Sequence, residues 1–360
     1  MRFYFANATF RKSDSRGRNV HIHQFIANSL ALGHEVWMEP DCEHPGIKLF
    51  PKGRLARLGA LRRMNALYIR LQDSPPDVCR YGIAPYRQLA GSPLNVWEFN
   101  TVPEFSLVMN HGEERLRNSL ARFRELGRGC DLAVCVSQKL AEYAQEHLGI
   151  DTTLVVPNGS DPDLFLPKSR SEAAVELDPE KLNIVWIGSA DLGWHNFAQM
   201  LEAGKILSAR GLKDRFSFHI IGKDLPQSET WEDNVIYHGP IAYQELPGWL
   251  SAMDVGLVLY HGGVADYNSP LKFYDYLASE LAVVSSEQPQ VREVLEQYGA
   301  GDLVIPCNDA VALADVLNGL ERDRDRVRRL GAAGRQRVVD HYNWQRAARD
   351  THAGIAQLLH

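Results

Sequence analysis

The stretch NSPLKFYDYLASELAVVSS, Asn268 to Ser286, joins a helix start to a buried strand. Asn268 and Ser269 offer side-chain oxygens for an N-cap, and Pro270 suits the first helical position. The apolar run Leu281 to Val284 follows with no space for a long loop. The spacing therefore predicts a helix from Pro270 that opens onto a strand of an α/β sheet. A helix start leaves backbone N–H groups free, and in such a sheet it attracts a phosphate. Asp275 stands six residues after Ser269, about 9 Å along the axis at a rise of about 1.5 Å per residue. At that position, read as exposed, its carboxylate could accept ribose hydroxyls, a spacing that suits a nucleoside diphosphate. An ordinary capped helix with a solvated Asp is the competing reading of the same residues.

A second stretch, CDLAVCVSQKLAEYAQEHLGIDTTLVVPNGSDPDLFLP, Cys130 to Pro167, reads as a βα unit followed by Pro157, Asn158 and Gly159. In this order the two stretches resemble the GT-B glycosyltransferases, in particular the retaining family 4 type in the subgroup that carries SPLK, an aromatic, an acid and YLA. The opening strand with Gly17 and His21, followed by LALGHEV, is similar to that family's first βα unit. LNIVWIGS and FSFHIIGK are similar to the strands that begin its second domain. The resemblance spans nearly the whole chain. It implies an α/β GT-B architecture of two doubly wound Rossmann-like domains facing across a cleft: an N-terminal acceptor domain over 1–166, a donor domain over 167–342, and a last helix, 343–360, that crosses back to the first domain.

Composition agrees with this expectation. The chain has 360 residues, enough for two domains that each bury a core. Hydrophobic residues make up 45% and charged residues 23%, ordinary for a globular protein. No apolar run approaches the roughly 20 residues of a membrane span, and Met1 to Ala6 is followed at once by Arg11, Lys12 and Asp14 rather than by a signal-type apolar segment. The five cysteines have neither zinc nor redox spacing, which fits a reducing cytoplasm.

The charge is unevenly placed. Residues 1–150 hold 20 Lys and Arg against 15 acids, and the remainder 19 against 30. Much of the basic excess lies in Lys48 to Leu71, where Leu55, Leu58, Leu61, Met64, Leu67 and Leu71 recur at helical spacing with arginines between them. The segment reads as a basic amphipathic helix whose apolar face packs on the core. The alternative is peripheral contact with an anionic membrane face or a lipid-linked acceptor. The net charge of −6 and the absence of any nucleic-acid module exclude nucleic acid as the expected partner.

Apolar runs bounded by helix-length segments place parallel strands at Phe3 to Phe5, Glu35 to Met38, Val78 to Tyr81, Val96 to Phe99, Leu132 to Val136 and Thr153 to Val156. A second series follows at Ile184 to Ile187, Phe216 to Ile221, Val235 to Tyr237, Gly256 to Leu259, Ala282 to Ser285 and Leu303 to Ile305. In doubly wound sheets ligands bind beyond the carboxyl ends of strands. By resemblance, Gly188 and Ser189 face the donor phosphates, the Gly239 to Ile241 loop holds the base, and the Ser269, Pro270, Leu271 and Lys272 helix start meets the diphosphate. Asp275 is then the ribose contact. Gly17 lies where the family's first glycine loop nears the diphosphate, although a surface-loop glycine reads the same. Glu98, Asn100 and Glu104 become sugar or acceptor contacts, with Asn100 at the place of a frequent family histidine; Glu98 reads equally as a hydrogen-bonded polar residue in a strand.

The chain departs from the family pattern where charge matters most. An Arg after the first glycine of the donor domain and a Lys a few residues on are usual, and here those places hold Ser189 and Trp194. The first acid of the paired E-x7-E motif is replaced by Tyr267, with Asp266 adjacent. Lys272, Lys223 and the arginines of Arg11 to Arg18 are the candidate replacements for the missing cations. The expected reaction moves a hexosyl group from a UDP- or GDP-sugar to a sugar, glycan or lipid-linked acceptor, with retention of configuration, with no cofactor beyond the co-substrate and with no metal. A non-catalytic subunit that binds a sugar nucleotide or a partner enzyme is the alternative. Asp161-Pro162-Asp163 spells the D-x-D metal signature of unrelated glycosyltransferases, but it sits inside the hinge rather than after a strand of the expected unit.

Overall fold

The computed structural model describes residues 1–6, 17–38, 46–49, 77–81, 94–102, 121, 123–167, 169, 172–189, 193–223 and 231–359. These residues form two compact units, Met1–Pro157 with Trp344–His360, and Asn158–Asn343.

The first unit carries β1 (Arg2–Ala6), β2 (Glu35–Met38), β3 (Lys48–Leu49), β4 (Val78–Tyr81), β5 (Leu94–Phe99), β6 (Leu132–Cys135) and β7 (Thr153–Val155). They form one parallel sheet in the order β3-β2-β1-β4-β5-β6-β7, with the reversal between β1 and β4. The core of this unit falls into two groups. Phe5, Val36 and Met38 pack with Ile22, Phe25 and Ile26 of the Gly17–Ala31 helix. Phe3, Leu94, Val96, Leu132 and Val134 pack with Ile355 of the last helix, Trp344–Leu358. The Gln138–Leu148 helix starts where the Ser137 hydroxyl accepts the Leu140 N–H, and it ends at Gly149 in the left-handed conformation that a Cβ disfavours.

Lys48 and Leu49 depart from the amphipathic helix read across Lys48 to Leu71: they are an edge strand, with Trp37 paired to Lys48 and Met38 to Leu49. A two-residue strand has no periodicity of its own, so the helical pattern downstream absorbed it. Residues 50–71 of that segment, the Arg11 to Arg16 loop and Glu104 lie outside the described residues.

The second unit holds β8 (Leu182–Ser189), β9 (Phe216–Lys223), β10 (Val235–Gly239), β11 (Val255–Val258), β12 (Ala282–Ser286) and β13 (Val304–Ile305). This parallel sheet runs β10-β9-β8-β11-β12-β13, and its reversal falls between β8 and β11. Strands β8, β9, β11 and β12 are mostly buried, as expected for a sheet covered on both faces by helices, while the edge strand β10 is partly exposed.

The division at Pro157 and Asn158 comes ahead of the boundary read after residue 166, for a physical reason. Asn158 donates its backbone N–H to Ser269 Oγ at 3.1 Å and its Nδ2 to the Ser269 carbonyl at 2.6 Å. Ser160 N–H reaches the Tyr342 carbonyl at 3.0 Å, and Phe165 is buried in the second core. Arg335 donates to the carbonyls of Pro162, Phe165 and Ala278. The residues after the hinge proline are therefore part of the second unit. No helix among the described residues is long and apolar enough to cross a membrane.

Candidate functional site

The crevice at the carboxyl ends of β8 and β11 is the topological switch point of the second sheet, where such folds bind ligands. Gly188 and Ser189 end β8, and Ser189 lies in register with Lys223 at the end of β9. Gly222 fits there because any Cβ would collide with the Gly188 carbonyl. An antiparallel bridge between His195 and Tyr260 links the two sides of the crevice.

Lys272 reaches into this crevice from the first turn of the Leu271–Ala278 helix. Its Nζ lies 3.4 Å from His195 Nε2, 5.0 Å from the centroid of the Trp186 ring and 5.2 Å from that of Tyr260. Among the described residues no carboxylate forms an ion pair with it. Burial lowers its pKa to about 7, since the charged amine loses water. His195 Nδ1 meets the Ser189 carbonyl at 2.9 Å. Burial, and then the Lys272 charge, holds His195 down at about 3, so this imidazole is neutral around pH 7.

The helix start differs from its sequence reading. Pro270 is the N-cap in extended conformation, the helix begins at Leu271, and no side chain caps it. The Ser269 hydroxyl is held by Asn158 N–H and by the Tyr274 hydroxyl at 3.0 Å, so hinge anchoring has displaced capping. The first turn is thereby left without a side-chain acceptor.

Asp275 is corrected more sharply: it is 4% exposed rather than solvated. Its Oδ1 accepts the Ser160 hydroxyl at 2.6 Å and the Tyr243 hydroxyl at 3.3 Å. Burial raises its pKa to about 7, against the lowering effect of those two hydrogen bonds. Helical spacing placed Asp275 beyond the helix start, but it could not show that the hinge would fold over that face. Asp161, of the D-x-D, turns its Oδ1 to the backbone N–H groups of Asp163 and Leu164 and so caps its own turn.

Of the remaining residues, Ile241 is half-buried against the second core, after Gly239 with its positive φ. Gly17 opens the first helix of the other unit. Glu98 is buried at the end of β5, where His21 Nδ1 lies 2.8 Å from its Oε1 and Asn100 Nδ2 donates to the same oxygen at 3.2 Å. His21 and Glu98 line a small pocket with Phe25, Val134, Val136 and Trp344. Asn100 Oδ1 is buried without a hydrogen-bond partner.

The structure thus gathers Gly188, Ser189, Lys223 and Lys272 in one crevice, and separately Glu98 and Asn100. His195 and Trp186 were missed by the sequence reading. The available signal was His195 directly after Trp194, at the place where the family's lysine is absent.

Comparison with known proteins agrees with this architecture. Residues 203–353 match the model of a family described as glycosyl transferase-like. Sucrose-phosphate synthase from Thermosynechococcus elongatus superposes with a TM-score of 0.71 at 18% identity, covering 99% of this chain and 98% of that one. WaaG, a glycosyltransferase of lipopolysaccharide biosynthesis, gives 0.70 at 14% identity, with 98% of each chain covered. HepE from Anabaena, in complex with UDP and glucose, gives 0.68 at 12%, with 99% of each covered. The fold is that of the GT-B glycosyltransferases. Among curated sequences, alpha-maltose-1-phosphate synthase of Mycolicibacterium smegmatis is 36% identical over 80 residues, a match that spans 21% of this chain and 21% of that protein.

Proposed function

We propose that the protein is a retaining, metal-independent glycosyltransferase that moves a hexosyl group from a UDP- or GDP-sugar to an acceptor hydroxyl. The observation that carries this reading is Lys272: a half-buried amine without a carboxylate partner among the described residues, set under an uncapped helix start at the switch crevice. Departure of a nucleoside diphosphate builds negative charge on the leaving oxygen, and a fixed cation aimed there acts mainly in the transition state. Lys272 and Lys223, with Gly188 and Ser189 as the backbone wall, supply what the absent Arg and Lys do in relatives, and Ile241 borders the base. The Asn100 Oδ1 acceptor and Glu98 are proposed to contact sugar or acceptor, which is a sugar, a glycan or a lipid-linked molecule. The expected cytoplasmic setting, at the inner membrane face for a lipid-linked acceptor, belongs to the same reading. No residue is nominated as a covalent nucleophile. The departing phosphate receives the acceptor's proton as the new bond forms on the same face.

Since HepE structures hold UDP and UDP-glucose, UDP-glucose is the first donor to assay, beside a thermal-shift panel of UDP, GDP, ADP and TDP. Product configuration is read by NMR, and turnover is measured in excess chelator. Retention with undiminished activity is expected. An inverted product, or activity restored only by magnesium or manganese, overturns the mechanism. Ser189 and Trp194 at the usual cation positions favour a second reading, a non-catalytic sugar-nucleotide-binding subunit. Tight donor binding with neither transfer nor donor hydrolysis would establish it.

A further inference from the structure

The described neighbours of Lys272 orient it without neutralising it. The Ser189 carbonyl can only accept, so His195 carries its ring proton on Nδ1 and presents a lone pair from Nε2. That lone pair takes a hydrogen bond from Lys272 Nζ. Among the described residues, the titratable groups that face the amine are His195, from the turn ahead of the Phe197–Ala209 helix, and Tyr260, from the chain just after β11. Trp186 on β8 offers only a ring face. Asp275, on the same helix as Lys272, is turned to Ser160 and Tyr243 instead. A neutral imidazole and two aromatic faces fix the direction of the amine and, among the described residues, leave its charge without a counterion.

We propose that His195 is the positioning residue of Lys272, and that the pair takes up a proton from solution when it captures the diphosphate of a donor. This rests on the donor-site reading above. Without ligand, the amine is divided between its neutral and charged forms near neutrality, in keeping with its lowered pKa. A diphosphate beside it stabilises the ammonium, so the pKa rises on binding. The sign follows: affinity is greatest below the free pKa and falls as pH rises through it. Uptake is near zero around pH 6 and approaches one proton above about pH 8.

The test is calorimetric titration with UDP-glucose, GDP-mannose and ADP-glucose, whose diphosphate diesters carry no proton that titrates in this range. Runs in two buffers of different ionisation heat give the proton count. The parent is expected to take up roughly 0.5 to 1 proton at about pH 8 and almost none at about pH 6. Lys272→Arg, charged throughout, is expected to bind with no uptake. If that variant binds too weakly, the affinity of the parent across the same range carries the test: it is expected to fall by up to about tenfold per pH unit above about pH 7. His195→Ala should weaken binding about tenfold, whereas His195→Gln, which keeps an acceptor toward Nζ, should stay within about threefold of the parent. Binding without uptake, uptake that persists in Lys272→Arg, or equal losses in the two His195 variants overturns the proposal and leaves the donor-site reading intact. Failure of all three donors to bind overturns both.

Discussion

Asp275 and Lys272 sit three residues apart on one helix, and burial moves their pKa values toward each other, both to about 7. For Asp275 the folded value lies above the unfolded value of 3.8. Its contribution to stability is therefore fully present below about pH 4 and is lost as pH rises toward about 7. Asp275→Asn keeps an acceptor for Ser160 and removes the titration, so its stability should vary less with pH than that of the parent over this interval. Chemical denaturation of both proteins at several pH values measures the difference, and identical slopes would refute the burial argument. Asp275→Ala leaves the Ser160 and Tyr243 hydroxyls unpaired and should cost about 1–3 kcal/mol. Lys272→Ala should behave differently, lowering kcat more than donor affinity, because charge on the leaving group grows toward the transition state. A loss confined to affinity would mean that the amine only binds.

At the scale of elements, the site depends on how closely β8 and β9 approach at their carboxyl ends. Gly222 has a positive φ, and a side chain there would strike the Gly188 backbone. Gly222→Ala is expected to destabilise the protein by about 1–3 kcal/mol and to weaken donor binding, because parting the strands moves Ser189 away from Lys223. Denaturant melts and nucleotide titration of the same variant check both effects; an unaltered melt would show that the strand ends yield without cost. The Leu271–Ala278 helix is likewise positioned from outside its own sequence. Asn158 holds Ser269 and Ser160 holds Asp275, so the hinge segment fastens the helix at its start and again one turn on.

On the scale of the molecule, each unit has its own sheet and core, and the last helix belongs to the first. Ile355 and Trp344 are buried there, and His352 Nε2 meets the Ser29 hydroxyl at 2.9 Å. Ending the chain after Asn343 would uncover Phe3, Leu94 and Val96 while leaving the second core intact. Scanning calorimetry of the truncated protein should show the transition of the first unit lost or shifted strongly downward and that of the second retained. A melt like that of the full chain would mean that Trp344–Leu358 contributes little.

Most strands, the two-unit plan and the helix-to-strand step at Asn268 to Ser286 were legible in the sequence, because they rest on local periodicity and on breakers such as Pro270. The crevice residues Gly188, Ser189, Lys223 and Lys272 were legible for the same reason, each lying at a strand end or a helix start. The Lys48–Leu49 strand was not, since two residues have no period and acquire their identity only by pairing with Trp37 and Met38. The partners were hidden too. Asp275 reads as an exposed ribose contact until Ser160, 115 positions away in sequence, folds over it, and His195 reads as a loop residue until it is set against a lysine 77 positions on. Helix and strand are decided by neighbours along the chain. Burial, and with it the charge state of Lys272, His195 and Asp275, is decided by neighbours in space, and only the tertiary structure brings these together.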